Sequence, residues 1–165
     1  SFVAPNKFGW PTSGTLRDFC MQGWIGELPS SFTIDFKLNF VSLAGSMRWG
    51  GIVFCTPNDY FDDMNASGDI TNGYNLLVRE NGSIELFKRQ NSAANLVGSA
   101  LATPSITSGQ QVEIKLQVTP TQIIITRVDT GHAMTINDSD FRNGFVHFGR
   151  NYSGVTFENV HFTPQ

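Results

Sequence analysis

The chain has 165 residues, of which 40% are hydrophobic and 15% charged, with a formal net charge of −3. This length fits one domain, residues 1–165, with a sizeable core. Without a basic cluster, nucleic acid is not an expected partner, and no apolar run approaches the roughly 20 residues of a membrane-spanning helix. Because residue 1 is Ser and no signal-like segment follows, we expect a processed chain or part of a larger polypeptide or assembly.

Alternating apolar and polar residues predict the first strands. Residues 32–40 alternate throughout, which indicates a long strand with one face in the core. A short apolar run at residues 52–55 predicts the next strand. Two alternating runs within residues 73–89 flank Asn81 and Gly82, the dipeptide favoured in type I′ turns. They therefore predict an antiparallel hairpin.

The second half of the chain repeats this pattern. A second predicted hairpin joins residues 112–118 to 123–128, and residues 96–101, 145–148 and 155–162 add short apolar runs. Many short strands separated by turn residues, without a segment of helical period, predict an all-β fold of two antiparallel sheets packed face to face. The 14 Phe fit such a core, since large flat side chains fill the space between packed sheets.

The two cysteines, Cys20 and Cys55, both fall in segments that we interpret as strands. They are too few for a disulfide scaffold and have no metal-ligand spacing. Two buried free thiols and one inter-strand disulfide are both compatible with the sequence.

A set of short motifs follows in order from residue 26 to the end of the chain. They read Gly-Glu-Leu-Pro-x-x-Phe-Thr-Ile-Asp-Phe at 26–36, Gly-Gly-Ile-Val-Phe at 50–54, the hairpin at 73–89, and Val-Thr-Phe-Glu-Asn-Val-His-Phe at 155–162. Their order resembles the concanavalin A-like superfamily, which includes laminin-G-like and lectin domains. The resemblance implies a jelly roll whose last strand lies beside an early one, for which residues 2–10 are the candidate.

Functions within this superfamily diverge, so the resemblance does not select one. It covers lectins, carbohydrate-binding modules, laminin-G adhesion domains, viral and phage attachment domains and some glycosidases. A retaining glycosidase needs two carboxylates about 5 Å apart, and the E-x-D-x-x-E motif of the enzymes on this fold is absent. We interpret Glu80 and Glu85 as solvated strand-end residues, and Asp138 and Asp140 as turn formers. The prediction is a non-catalytic protein, with an unrecognised glycosidase as the least favoured alternative.

Sugar-binding proteins combine an aromatic ring, which packs on the C–H face of the sugar, with polar groups that bond to its hydroxyls. Aromatic residues within polar sequence therefore mark candidates. The predicted ligand-binding residues are Arg48, Trp49, Asp59, Tyr60, Asp62, Asn72, Tyr74, Arg150, Asn151 and Tyr152. A core position remains the alternative for Trp49, and also for Tyr74, which resembles a packing residue of the superfamily.

Residues 56–72 form the longest stretch without alternation and hold four Asp and three Asn. A long loop in a compact β domain is more often functional than idle. Ca²⁺ takes six to eight oxygen ligands, which such a loop can supply. No D-x-D-x-[DN]-G run is present, so calcium and an ordinary solvated loop both remain open, and no metal ligand is assigned.

The leading hypothesis is a non-catalytic glycan-binding domain, lectin-like or a carbohydrate-binding module, that is extracellular or surface-exposed and binds a glycan or glycosylated surface. The alternative is a viral or phage attachment domain, or another protein-interaction domain, on the same fold. We expect the site in residues 56–72 and in the turn at 150–152. We interpret the charges of the 73–89 hairpin as those of a solvated edge.

Overall fold

The structure is a computed structural model that describes residues 2–3, 7–15, 17–21, 25–57, 72–91 and 93–165, without the side chains of residues 2, 3, 18, 20 and 21. Across these residues the chain forms thirteen β-strands and no helix. The predicted all-β class is therefore confirmed. Accordingly, the described ranges contain no helix long and apolar enough to cross a membrane.

Seven of these strands form one antiparallel sheet. They are β1 (Phe2–Val3), β2 (Phe8–Trp10), β4 (Phe32–Ser42), β9 (Gln111–Val118), β10 (Ile123–Arg127), β11 (His132–Ile136) and β13 (Gly154–Pro164). The order is β1, β13, β4, β9, β10, β11, and β2 also pairs with β13. The last strand thus lies beside strands from residues 2–10, as the resemblance implies.

The other six described strands form the second antiparallel sheet. They are β3 (Arg17–Met21), β5 (Trp49–Thr56), β6 (Gly73–Arg79), β7 (Ile84–Gln90), β8 (Ala93–Leu96) and β12 (Phe145–Asn151). Their order is β3, β12, β5, β6, β7, β8.

The core lies between the two sheets and is rich in phenylalanine. The ring of Phe36 on β4 meets that of Phe148 on β12 edge to face, with centroids 6.2 Å apart. Phe32 on β4 meets Phe54 on β5 in the same way at 6.4 Å. Burying such side chains is the main source of stability in a sandwich. These contacts confirm the predicted packing of two sheets.

Strands β5 and β6, like the middle of β12, are buried on both faces. All eight residues of β5 and the first six of β6 are buried, whereas β9 alternates between buried and partly exposed residues after Gln111. An antiparallel sheet with one solvated face gives the alternating pattern. The face of the six-stranded sheet that points away from the core, here called the outer face, is therefore sheltered at its centre.

The hairpin of β6 and β7 is confirmed, but its turn is not the predicted type I′. The Gly82 amide donates to the carbonyl of Arg79 at 2.9 Å, and the Arg79 amide donates to the carbonyl of Ser83 at 2.8 Å. The loop therefore has three residues, Glu80, Asn81 and Gly82. Of these, Gly82 alone has a positive φ, 88°, whereas type I′ requires two. The prediction of the turn type is wrong.

Three strands have no clear signal in the sequence. β8 occupies Ala93–Leu96 rather than the predicted 96–101, and all four of its residues are exposed. The sequence indicates a strand around Cys20, which β3 confirms, but it gives no bounds for β3 and no signal for β11. β8, β3 and β11 are all edge strands. An edge strand buries little of its surface, so it shows weak hydrophobic alternation.

The turn geometry predicts that Gly82→Ala is more destabilising than Gly109→Ala. Both glycines have positive φ, 88° and 81°, so alanine strains the backbone at either position. At Gly82 a Cβ would also lie 2.3 Å from the carbonyl oxygen of Thr103, whereas at Gly109 nothing lies within 4 Å. In urea unfolding, we expect G82A to lose at least about 1 kcal/mol more than G109A. Equal losses would contradict the described turn.

Candidate functional site

The outer face of the six-stranded sheet carries a pocket of about 270 Å³. Its lining residues are Arg17, Trp49, Asn75, Leu77, Arg79, Phe87, Arg89, Ala94 and Asn151. We call it the outer-face pocket. It brings together two aromatic rings, two side-chain amides and three guanidinium groups, which is the mixture of apolar and hydrogen-bonding groups typical of ligand sites.

The strand register explains why these side chains meet. Directly opposed residues of antiparallel strands project from the same face of a sheet. Trp49 on β5 lies opposite Arg79 on β6 and opposite Asn151 on β12. Further along the sheet, Asn75 on β6 lies opposite Phe87 on β7. Two rows of site residues therefore cross neighbouring strands.

Trp49 lines the pocket but is largely buried. It is only 4% exposed, and its ring packs 6.0 Å from that of Phe19 at an angle of 50°. Phe87 is only partly buried and offers more accessible aromatic surface. Trp49 therefore combines the two roles considered for it, since its ring is packed against Phe19 and also borders the pocket.

Arg79 is held in one orientation by three hydrogen bonds to two residues, Glu85 and Met47. Its Nε and Nη2 donate to Oε2 of Glu85 at 2.9 and 2.8 Å, and its Nη1 donates to the carbonyl of Met47 at 2.6 Å. Both side chains of the Arg79–Glu85 pair are 13% exposed. The interpretation of these charges as a solvated hairpin edge is wrong for this pair, in which Glu85 orients Arg79, a residue that lines the pocket.

Asn75 is the other amide of the pocket. The residue is 4% exposed, and within the described part of the chain its Oδ1 has no hydrogen-bond partner. Buried side-chain polar atoms usually have a partner in folded proteins. A residue that lines a cavity and has an orphan amide oxygen therefore points to a role toward a ligand.

Arg48 and Tyr152 stack on each other, whereas Arg150 is committed to the interior. The guanidinium carbon of Arg48 lies 3.9 Å from the centroid of the Tyr152 ring, so this arginine covers one face of the tyrosine. Arg150 is buried and donates from Nη1 to the carbonyl of Thr12 at 2.6 Å. Of the predicted turn at 150–152, Asn151 is the residue that reaches the pocket.

Tyr74 lies in the core and offers no surface to a ligand. It is fully buried, and its ring stacks on that of Phe54 with centroids 5.3 Å apart. Its hydroxyl donates to Asp138. Burial and this hydrogen bond raise the pKa of Tyr74 to about 12. The packing alternative therefore describes Tyr74 better than the ligand-binding one.

Asn72 lies at a second cavity, of about 380 Å³, which Cys55 and Arg142 also line. The Oδ1 of Asn72 accepts a hydrogen bond from the amide of Asn91 at 3.1 Å and so ties together the ends of the hairpin. Cys55 is a buried free thiol, and burial raises its pKa to about 12. The side chain of Cys20 lies outside the described residues.

Three predicted site residues, Asp59, Tyr60 and Asp62, lie outside the described residues, as does most of the 56–72 loop. Among the side chains that the structure does describe, no group of three or more His, Cys, Asp or Glu is arranged to hold a metal ion. The calcium hypothesis for this loop stays a prediction.

Glu80 is buried, so its interpretation as a solvated strand-end residue is wrong. It is 3% exposed. Its carboxylate accepts hydrogen bonds from the amides of Ala44 at 2.7 Å and Gly45 at 2.8 Å, and from the hydroxyl of Ser153 at 2.6 Å. The charge is stabilised by these donors. A carboxylate engaged in this way anchors loops.

Sequence reasoning missed five polar or aromatic residues of the pocket. They are Arg17, Asn75, Arg79, Phe87 and Arg89. Four of them, all except Arg17, lie on the hairpin of β6 and β7. The available signal was the alternation of β6, which separates Asn75 and Arg79 from the core residues Leu76 and Val78.

No family model matches the chain, and no curated protein matches it by sequence. Solved structures do match. The carbohydrate-binding module CBM66 from Bacillus subtilis has a TM-score of 0.70 at 17% identity, covering 98% of this chain and 90% of that one. The Emp47p carbohydrate recognition domain gives 0.66 at 15%, covering 99% and 87%. Toad ovary galectin, solved with thio-digalactose, gives 0.58 at 10%, covering 91% and 100%.

These likenesses identify the fold. At such identities they show a shared architecture, which is the concanavalin A-like jelly roll of two packed sheets. The resemblance seen in the sequence is thereby confirmed at the level of fold.

A cluster of charges lies beside the hydroxyl of Tyr74. Lys88 donates to Asp138 Oδ2 and to Asp140 Oδ2, each at 2.7 Å. Burial alone would raise the pKa of Asp138, but the hydrogen bonds from Lys88 and Tyr74 outweigh burial and lower it. The amide of Asp140 also donates to Asp138 at 3.1 Å, which confirms the predicted turn.

The cluster predicts a stability contribution that depends on pH. Because folding lowers the pKa of Asp138, its contribution is present above the unfolded value of about 3.9 and is lost as the pH falls through the folded value. We expect Asp138→Asn to lower the free energy of unfolding at pH 7 by about 2 kcal/mol, with the difference from wild type shrinking in acid. The exposed Asp140 serves as the control, since Asp140→Asn should cost less. A pH-independent effect of D138N would contradict this account.

Proposed function

We propose that the protein is a non-catalytic glycan-binding domain, of lectin or carbohydrate-binding-module type, and that the outer-face pocket is its site. One observation carries the proposal. The partly exposed ring of Phe87 lies directly opposite the amide of Asn75, and Trp49 lies opposite Asn151 and Arg79, all around one cavity.

This combination suits a sugar. A sugar ring has apolar C–H faces, which pack on aromatic surface, and hydroxyls, which need fixed donors and acceptors. Phe87 supplies the accessible aromatic surface, while Asn151 and Arg79 supply polar groups at the other end. Arg79 is already oriented by Glu85, so binding it loses little side-chain entropy. The pocket is sized for one sugar unit of a longer glycan.

Other observations support the non-catalytic form of this proposal. CBM66 and the Emp47p domain, which share the fold, are described as a carbohydrate-binding module and a carbohydrate recognition domain. The carboxylate nearest to a substitute for a glycosidase pair, Glu80, is occupied by loop amides. We include in the proposal a glycosylated surface as partner and an extracellular or surface-exposed location.

The proposal predicts that pocket variants lose binding while the fold persists. Glycan-array screening followed by calorimetry, with and without Ca²⁺, should identify a ligand of the wild type. Phe87→Ala and Asn151→Ala should each weaken its binding by roughly tenfold or more, since each removes contacts worth at least about 1.4 kcal/mol. Gln117→Ala, on the outer face of the seven-stranded sheet, is the matched control and should bind normally.

Two outcomes would contradict the proposal. Failure of the wild type to bind any glycan, with or without Ca²⁺, would remove the function. Normal glycan binding by both pocket variants would remove the outer-face pocket as its site.

A protein-interaction or attachment domain is the second candidate, and one surface feature favours it. Val41, Leu43 and Met47, at the end of β4 and in the following loop, are exposed large hydrophobic residues, with Met47 55% exposed. Glu80 holds this loop through two backbone amides. Binding to a surface extract that survives enzymatic removal of its glycans would favour this candidate over the first.

A further inference from the structure

Asn75 is a polar residue whose directly opposed neighbours are apolar. Across the sheet its neighbours are Val53 on β5 and Phe87 on β7, and Leu77 is the next residue of β6 on the same face. It is 4% exposed, and its Oδ1 has no hydrogen-bond partner among the described residues. It also lines the outer-face pocket.

Such a residue destabilises the free protein. A buried amide atom without a partner has lost its hydrogen bonds to water and gained none in return. Asparagine is also depleted in strands, where β-branched and aromatic residues pack better. Val53 and Leu77, which flank Asn75 on this face, are buried aliphatic residues. Packing against these neighbours therefore does not explain why position 75 carries an amide side chain.

We infer that Asn75 recognises a hydroxyl group of the bound saccharide, an inference that rests on the proposed glycan-binding function. The ligand supplies the hydrogen bond that the free protein lacks. Asn75 is then the residue that determines specificity for a sugar with a free hydroxyl directed into the pocket between Phe87 and Trp49.

The chemistry of the amide suits a hydroxyl. An asparagine side chain offers one acceptor oxygen and two donor hydrogens, and half a turn of the amide exchanges them without changing its shape. A hydroxyl both donates and accepts, so it pairs with the amide in either orientation. An ammonium group can only donate and a carboxylate can only accept.

The inference predicts strong rejection of an analogue that lacks this hydroxyl. A site built to bond a substrate hydroxyl leaves its own polar group unpaired when the hydroxyl is missing. A sugar with one specific hydroxyl replaced by hydrogen should therefore bind the wild type much more weakly, while its other monodeoxy isomers lose less.

Asn75→Leu tests this inference, with Asn39→Leu as the matched control. Asn39 lies mid-strand on the outer face of the other sheet, but it is bonded: its Nδ2 donates to Thr156 Oγ1 at 3.2 Å, and its Oδ1 accepts from Gln111 at 2.7 Å. Without ligand, we expect N75L to unfold about 2–4 °C above the wild type, because an orphan polar group is gone. N39L should unfold below the wild type.

Binding is measured by calorimetry with methyl glycosides of glucose, galactose, mannose and fructose and their monodeoxy derivatives. The wild type should bind one parent glycoside and lose at least roughly tenfold for one of its deoxy derivatives. N75L should bind that parent at least roughly tenfold more weakly and should no longer distinguish it from the deoxy derivative. N39L should behave as the wild type does.

The possible failures are distinguishable. If the wild type binds no saccharide, the proposed function fails and this inference fails with it. If the wild type binds but N75L keeps the same affinity and the same discrimination, only this inference is overturned. If N75L is destabilised as strongly as N39L, the amide serves the fold, and the inference is overturned on stability alone.

Discussion

The buried carboxylate of Glu80 joins the three segments that carry the outer-face pocket. It lies in the turn that follows Arg79, it binds the amides of Ala44 and Gly45 in the loop that leads to Trp49, and it accepts from Ser153, two residues after Asn151. Trp49, Arg79 and Asn151 are directly opposed across β5, β6 and β12. Their relative positions therefore depend on a charge that is removed from solvent and satisfied by three donors, an arrangement that holds loops rigidly. Rigidity at these ends of the strands favours ligand binding because less side-chain and loop entropy is lost.

The centre of the same sheet contains a buried polar group whose hydrogen bonds are not satisfied. β5 and β6 are buried on both faces, and most residues there are apolar, yet Asn75 remains polar with an unpaired oxygen. Glu80 satisfies its hydrogen-bonding capacity within the fold, whereas Asn75 does not. A protein that lies only 5–15 kcal/mol from unfolding retains few such groups without a use. Positions where local rules of packing are broken without compensation are expected at functional sites. This contrast is the physical reason for assigning the first residue to the scaffold and the second to recognition.

Much of the fold could be predicted from the sequence, because alternation along β4 and β9 directly reports one buried face. The alternation of β6 could have indicated Asn75 and Arg79, but the residues that face them on β7 could not be predicted, and the turn at Asn81-Gly82 explains why. A two-residue type I′ turn would place Asn75 opposite Lys88, whereas the observed three-residue loop places it opposite Phe87. A shift of one residue moves every side chain of the shifted strand to the other face.

The burial of Glu80 depends on donors 35 and 73 residues away in the chain, which no local pattern reveals. The polar sequence around Tyr152 predicts an exposed ring, but in the fold Arg48, which is distant in sequence, covers one face of it.

Binding of a glycan to the outer face of the six-stranded sheet, as we propose, can be observed directly by a ¹⁵N NMR titration of the wild-type protein with the tightest ligand from a glycan array. We expect shifts to concentrate on the indole N–H of Trp49 and on the side-chain amides of Asn75 and Asn151, which share the pocket. Shifts confined to the seven-stranded sheet, or to the cavity beside Asn72, would contradict the proposal.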